Sequence, residues 1–318
     1  MIDKFQASML AYAIGDALAA PLEDIIRFPE NGEEIINYYT RAAKSHPLAH
    51  LLAGQYSDET QLMLIIAKSL SECGCFSIKD LERRFVDWFH SQKKRSEWRF
   101  PGNTVMTACR KLAAGGTWEN SGLLSAGSNA VCRTLPYALA FGKSSKMLSS
   151  SIEKSCKLSH TDPRCIGTSL AFSAIINMGL SSEEFSVDVI CNKAIEKALP
   201  YTIEMGRKLR TVKDSLKLDS KRAISNIGNS GYCIDTFAAA LYWFLRAEGR
   251  FDSMIIGAAN CGGDSDAIAA MAGAMFGAWF GLSAIPEKWF EKLEKYDEIK
   301  QLATNIYRIA IPEPDNKK

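Results

Sequence analysis

Apolar residues recur along this chain at the three- and four-residue spacing that one face of a helix requires. Leu62, Ile65, Ile66 and Leu70 make such a face in a segment that begins near Thr60. Leu81, Phe85, Trp88 and Phe89 form a second stripe at i, i+4, i+7 and i+8. The same reading predicts helices over 5–20, 104–114, 131–141, 166–178, 187–198, 234–247, 252–259 and 287–295. No hairpin dipeptide stands between alternating runs, and β-branched clusters are few. Helices joined by short Gly- or Ser-bearing turns predict an all-α fold. Between them, the Ser/Lys mixture 143–151 reads as a surface loop and 92–99, with Trp98, as a solvated helix end. Residues 312–318 read as a frayed tail beyond a domain spanning 1–311.

One segment raises the question of a membrane. Ala267 to Pro286 carries no charge and has Gly273, Gly277 and Gly281 at four-residue spacing. It is rich in Ala and Gly rather than Leu and Ile, and Asp264 and Asp266 stand at its start. The segment therefore reads as a buried core helix whose glycine row lets another backbone come close.

Composition narrows the function classes. The 318 residues include 38 Lys+Arg against 36 Asp+Glu, a net charge of +2 that lacks the basic footprint of a general nucleic-acid binder. Nine cysteines, an odd count without any CxxC pair, make a thiolate zinc site improbable. The start Met1-Ile2-Asp3-Lys4-Phe5 has no leader pattern, so free thiols in a reducing, cytoplasmic compartment are expected.

Candidate chemistry lies in two tight carboxylate clusters, each immediately ahead of an apolar helix: Ser57-Asp58-Glu59-Thr60 and Gly263-Asp264-Ser265-Asp266. Adjacent carboxylates repel and need an offset, which a helix N-terminus supplies in part. Asp58 and Asp264 would serve as N-caps on that account alone. Yet two such clusters, flanked by hydroxyls, offer only hard oxygen donors, a set suited to magnesium, manganese or calcium. An EF-hand is excluded, because positions six and twelve from Asp264 are Ala269 and Met275. The Asp-x-Asp of a nucleotide-sugar transferase would need parallel βαβ units that the pattern lacks. Gly262-Gly263 permits close backbone approach to a ligand. Gly127-Ser128-Asn129 and Gly102-Asn103-Thr104 are small turns ahead of helices, of the kind that hold phosphate.

The ordered set of these motifs resembles the ADP-ribosylglycohydrolase family. Gly15-Asp16-Ala17 through Glu23 looks like its Gly-Asp-Ala-x-Gly-x-x-x-Glu opening, and Ser57 to Thr60 stands where the family has Thr-Asp-Asp-Thr. Gly127 to Arg133 resembles Gly-Asn-Gly-Ala-x-Met-Arg, and Ser159-His160 a Ser-His or Thr-His pair. Gly231 to Thr236 matches Gly-Tyr-x-x-Asp-Thr, and Gly262 to Asp266 looks like Gly-Gly-Asp-Thr-Asp. The resemblance implies a single all-α domain with two Mg²⁺ or Mn²⁺ ions in a cleft. It also implies hydrolysis of the bond between C1″ of a distal ribose and an acceptor. By the same resemblance Ser57, Asp58 and Glu59 would ligate one cation, Asp264 the other, and Asp266 both. Glu23 would sit over the scissile bond or just behind the metal ligands, with Asp58 and Asp266 completing the catalytic set. Gly127, Ser128 and Asn129 would face the diphosphate, with Gly102, Asn103, Gly262 and Gly263 also against the substrate. His160 would meet the distal ribose and Tyr232 the adenosine side. Asp16 and Asp235 read as structural helix-end groups.

The implied partners are ADP-ribose and ADP-ribosylated proteins or small molecules, with nucleic acid only where it carries ADP-ribose and no membrane. Acceptor choice would lie in the loops between Glu23 and Ser57 and around 92–102. Two departures touch the metal site. Glu59 replaces an aspartate, moving its carboxylate out by about 1.5 Å, and Ala267 replaces a hydroxyl residue. In the turn, Ser128-Asn129 stands for Asn-Gly, and Cys132 stands for Met. An ADP-ribose-binding protein without turnover, or a dimetal hydrolase of another nucleotide, are the alternatives that these departures leave.

Overall fold

A computed structural model describes residues 1–23 and 36–311. The tail 312–318 and part of the loop between Glu23 and Ser57 therefore lie outside the described residues. Sixteen α-helices run through the rest. They begin with α1 (Ile2–Ala19), α2 (Asp58–Cys73), α3 (Ile78–Ser91), α4 (Asn103–Ala113) and α5 (Trp118–Ser121). Next come α6 (Asn129–Cys132), α7 (Leu135–Phe141), α8 (Ser145–Lys157), α9 (Pro163–Leu180) and α10 (Val187–Ala198). The last six are α11 (Glu204–Ser215), α12 (Ser220–Ile227), α13 (Cys233–Arg246), α14 (Phe251–Ala259), α15 (Ser265–Phe280) and α16 (Tyr296–Ala310). The described residues form no sheet. They include two isolated bridges, Leu123 with His160 and Gly127 with Tyr232.

The central pair is α1 and α15, both apolar on all sides and buried over most of their length. Glycine sets how closely they approach. A Cβ on Gly15 would stand 2.2 Å from Ala269 O, and one on Gly273 2.2 Å from Ala11 O. Gly277 meets the Ala7 backbone in the same way, at 2.3 Å. Ser8 adds a hydrogen bond across the contact, its Oγ donating to Ala274 O at 2.8 Å. Around this pair pack α9, α13, α14 and α16. The 267–286 segment thus begins as a core helix, and among the described residues no helix is long and apolar enough to cross a membrane. Gly281 differs from the two glycines before it: with φ +75° it ends α15, and a Cβ there would meet the Asp3 side chain of α1, at 2.6 Å, rather than its backbone.

Three local expectations need correction. The helix expected over 131–141 is two, α6 and α7. Pro136 has no N–H for the Cys132 carbonyl, and its ring crowds that carbonyl. The stretch 143–151 is not a loop but the start of α8, capped by Ser144 and buried along Leu148, Ile152 and Cys156. Its four-residue apolar period is masked by the surrounding Ser and Lys. The helix expected over 287–295 is a single 3₁₀ turn, Glu287–Trp289, followed by turns up to α16. Side-chain and backbone ties hold those turns: Glu294 N donates to Gly54 O at 3.0 Å, and Arg99 pairs with the Glu294 carboxylate at 2.9 Å. Residues 92–99 are likewise only partly solvated, because Gln92 and Arg99 are buried. Helices α5, α11, α12 and α16 are further additions to the expected set.

Gly15→Ala tests the central contact. The methyl has no room against the Ala269 carbonyl, so the variant should lose at least roughly 1–3 kcal/mol of unfolding free energy, the usual cost of overpacking. Urea unfolding measures it, and an unchanged midpoint would show that α1 and α15 can separate freely.

Candidate active site

Three helix ends meet at one place because α1 and α15 are packed so closely. Asp16 stands in the last turn of α1, Ser57 to Glu59 open α2, and Asp264 to Asp266 open α15. Asp16 holds the α2 end in position. Its Oδ1 accepts from Ser57 N at 2.8 Å, and its Oδ2 accepts from Thr60 N at 2.8 Å and Thr60 Oγ1 at 2.6 Å. The N-cap of α2 is Ser57, whose Oγ accepts from Glu59 N and donates to Asp266 Oδ2 at 2.9 Å. Asp58 is therefore not spent on capping, and its side chain is turned to the cluster. Asp264 occupies the cap position of α15 without capping it, and its Oδ2 accepts from Thr236 Oγ1 at 2.7 Å. The turn ahead of it needs glycine: Gly263 has φ +64°, and a Cβ there would lie 2.1 Å from Asn229 O.

The opposite side is built by the 127–133 segment. Asn129 places its Nδ2 between the clusters, donating to Asp58 Oδ2 at 3.1 Å and Glu59 Oε1 at 3.2 Å. Its Oδ1 accepts from Arg133 at 3.1 Å. The Ser128 N–H is taken up by Gly231 O at 2.9 Å, part of the bridge that joins this turn to Tyr232. A pocket of about 170 Å³ lies between the two sides. It is lined by Glu23, Asp58, Glu59, Asp264, Gly102, Asn103, Gly127, Ser128, Asn129 and His160, together with Gly231. Ser57 and Asp266 are buried behind this lining. Tyr232 stands aside from it, its hydroxyl donating to Glu204 at 2.7 Å and its ring under Arg164. Gly262 and Gly263 shape the turn beneath Asp264 rather than the wall. Glu23 ends the 3₁₀ turn Ala20–Leu22, and its carbonyl accepts from His46 Nε2 at 3.1 Å.

The electrostatics follow from burial. Asp58 is pushed well above the usual carboxylate range by desolvation, then by the charges of Asp266 and Asp16. Glu59 is raised by desolvation and then by Asp58, Asp266, Asp264 and Asp16. Asp266 is raised by desolvation, Asp264 and Asp16, while the Ala267 N–H and the Ser57 hydroxyl favour its charge. Desolvation lowers His160 to about 3, with the Arg133 charge adding to it, so this imidazole is neutral. Arg133 reaches Asn129 rather than a carboxylate, and Glu59 Oε2 is buried without a hydrogen-bond partner among the described residues. An excess of buried hard oxygens with one lone pair unused is a set that fits divalent cations such as Mg²⁺ or Mn²⁺. Among the described residues no three His, Cys, Asp or Glu groups are gathered closely enough to hold a metal ion. The Asn129 amide and the Ser57 hydroxyl stand among the carboxylates.

Residue patterns alone left out three participants. Asp16 is a lone carboxylate inside an otherwise apolar stretch, Met9 to Ala20, and that isolation is its signal. Arg133 is the one charge between Asn129 and Gly142. Thr236 gave no signal beyond its place in the 231–236 motif.

Helix-end carboxylates gathered beside a pocket, in described residues that form no sheet, define an all-α fold with a candidate site at the starts of α2 and α15. The chain belongs to the ADP-ribosylglycohydrolase family, which it matches over residues 1–315. It is 29% identical to an uncharacterized protein of Archaeoglobus fulgidus, over 97% of each chain. It is 27% identical to an ADP-ribosylarginine hydrolase of Serratia proteamaculans, over 99% of this chain and 81% of that one. Among solved structures, one titled ADP-ribosylglycohydrolase-related protein complex shares the fold, with a TM-score of 0.78 and 24% identity over 98% of this chain and 99% of that one.

The raised carboxyls make a pH prediction. Without metal, the folded protein keeps protons that the unfolded chain releases near the ordinary values of 3.8 and 4.5. Their contribution is fully present below those values and is lost as pH rises through the raised folded range. The unfolding temperature in EDTA should therefore fall from about pH 5 to about pH 8. Added Mn²⁺ should remove that fall; a level EDTA profile would mean that the carboxylates do not oppose one another.

Proposed function

We propose that this protein is a metal-dependent hydrolase that cleaves the bond between C1″ of an ADP-ribose and its acceptor, releasing ADP-ribose. Family membership supports hydrolysis of ADP-ribosylated acceptors. The observation that carries the finer reading is the opening of Asp58, Glu59 and Asp264 onto one pocket, opposite the Gly127–Asn129 turn and beside Glu23. Ser57, Asp58 and Glu59 would hold one cation and Asp264 the other, with Asp266 shared. When bound, two divalent cations supply polarisation of the ribose hydroxyls and a water of lowered pKa.

The chain's own residues do the rest. Asp16 keeps the α2 end against α15, so that Ser57 and Asp266 stay in register. Glu23 is placed at the pocket to hold or move a proton at its carboxylate while the leaving group departs. The carboxylates beside the ribose favour the positive charge that develops at C1″. His160, neutral and buried, binds ribose oxygen without adding charge. Arginine is the first acceptor to test, since the Serratia proteamaculans relative is named for it. Cytoplasmic action on a protein or small-molecule acceptor completes the reading.

A second reading, an ADP-ribose binder without turnover, is favoured by Ala267, which presents no hydroxyl beside Asp266, and by the longer Glu59. Restoring both, with Glu59→Asp and Ala267→Thr together, should create activity in a silent protein and add little to an active one.

The deciding assay is ADP-ribose release, read by mass spectrometry, from arginine-, serine- and nucleobase-linked substrates with Mg²⁺, Mn²⁺ or EDTA. Release should need metal, and Asp266→Ala should abolish it while helix content by circular dichroism stays unchanged. Full activity in EDTA, or in Asp266→Ala, would overturn the dimetal assignment.

A further inference from the structure

Arg133 is buried at the back of the site, its guanidinium over the Phe85 ring. Its three hydrogen bonds go to two different sides of the pocket. One nitrogen donates to Asn129 Oδ1 at 3.1 Å; the other donates to Ser155 O at 2.8 Å and to Ser159 Oγ at 2.7 Å. Ser159 Oγ is in turn 2.8 Å from His160 Nδ1.

These contacts fix where the hydrogens lie. A guanidinium only donates, so Ser159 Oγ accepts from Arg133. The Ser159 hydroxyl hydrogen is buried, and among the described residues its one acceptor is His160 Nδ1. A proton on Nδ1 would leave that hydroxyl hydrogen buried without an acceptor, a costly arrangement. Nδ1 is therefore the acceptor, and the ring hydrogen sits on Nε2. That edge faces Gly127, where a Cβ would come within 2.9 Å of Nε2. The same guanidinium forbids a flip of the Asn129 amide, because a flipped Nδ2 would point its hydrogens at Arg133. Asn129 must then turn its donors toward Asp58 and Glu59.

We propose that Arg133 is a positioning residue that, through Ser159, sets His160 in the Nε2–H form and, through Asn129, aims an amide at the carboxylates. The pocket then presents a neutral N–H donor on one wall and hard oxygens on the other. Such a donor takes a hydroxyl or phosphate oxygen of the ligand. That last step rests on the ADP-ribose reading, whereas the tautomer does not. Lowered basicity of His160, from burial and the nearby Arg133 charge, agrees with a ring that stays neutral.

The test separates the two. Nitrogen-15 correlation spectra of the ligand-free, metal-free protein report the tautomer of His160 directly. The expected result is a single Nε2–H pattern that does not titrate from about pH 5 to about pH 8. Ser159→Ala removes the relay with little change in volume and should give a mixed or Nδ1–H pattern; Ser159→Thr, which keeps the hydroxyl, should restore Nε2–H. Arg133→Lys keeps the charge but not the fork, and should also mix the tautomers. A wild-type Nδ1–H pattern, or no change in Ser159→Ala, overturns the proposal whatever the enzyme hydrolyses. On an active substrate, Ser159→Ala should raise KM roughly tenfold with kcat little changed, as loss of one hydrogen bond implies. An unchanged KM with an altered tautomer would overturn the ligand-binding step alone.

Discussion

Five carboxylates, those of Asp16, Asp58, Glu59, Asp264 and Asp266, are drawn to the junction of α1, α2 and α15, and their mutual repulsion is the constraint that the surrounding structure answers. Four of them are buried, where water cannot screen the charge. Two answers are local: α2 and α15 both start here, so their free N–H groups and dipoles face the negative charge. Others are side chains that donate inward: Thr60 to Asp16, Ser57 to Asp266, Thr236 to Asp264 and Asn129 to Asp58 and Glu59. Among the described residues no guanidinium or ammonium pairs with Asp58, Glu59 or Asp266; Arg133 acts one residue removed, through Asn129. The cluster's negative charge is thus left without the cancellation that a direct salt bridge would bring.

Glycine determines whether the cluster can exist. Without Gly15, Gly273 and Gly277 the helices α1 and α15 could not approach to backbone contact, and Asp16 would no longer reach the α2 N-terminus. Gly263 acts at shorter range: its left-handed conformation brings Asp264 round to Thr236 and the pocket. The energetic link from packing to chemistry is therefore direct. A methyl group in the helix contact would displace an acceptor that holds Ser57 and Thr60.

Much of the architecture was legible in the residue pattern. An apolar period of three and four carried α2, α3, α9, α10, α13 and α14, and the charge-free stretch after Asp266 declared α15. It misled where a local rule outranked the period, as Pro136 did in cutting 131–141, or where polar residues hid it, as in α8. The turns at 290–295 were opaque because Glu294 is held by Gly54 and Arg99, partners far away in the chain, Arg99 at a separation of 195 residues.

The site divides in the same way. Sequence by itself determined the donor chemistry, since carboxylates with hydroxyls at helix starts are local features of the chain. It marked Gly262-Gly263 and Gly127-Ser128-Asn129 as glycine-bearing turns ahead of helices as well. Only the tertiary structure decided which of these features face each other. Asp16, a helix-end group, is the acceptor that holds α2, and Asn129, while lining the pocket, gives its amide hydrogens to Asp58 and Glu59. Tyr232 moved aside to Glu204 and Arg164. Helical period and capping depend on neighbours a few residues apart, whereas residues 16, 58, 129, 133 and 266 meet only through the angle and closeness of packed helices.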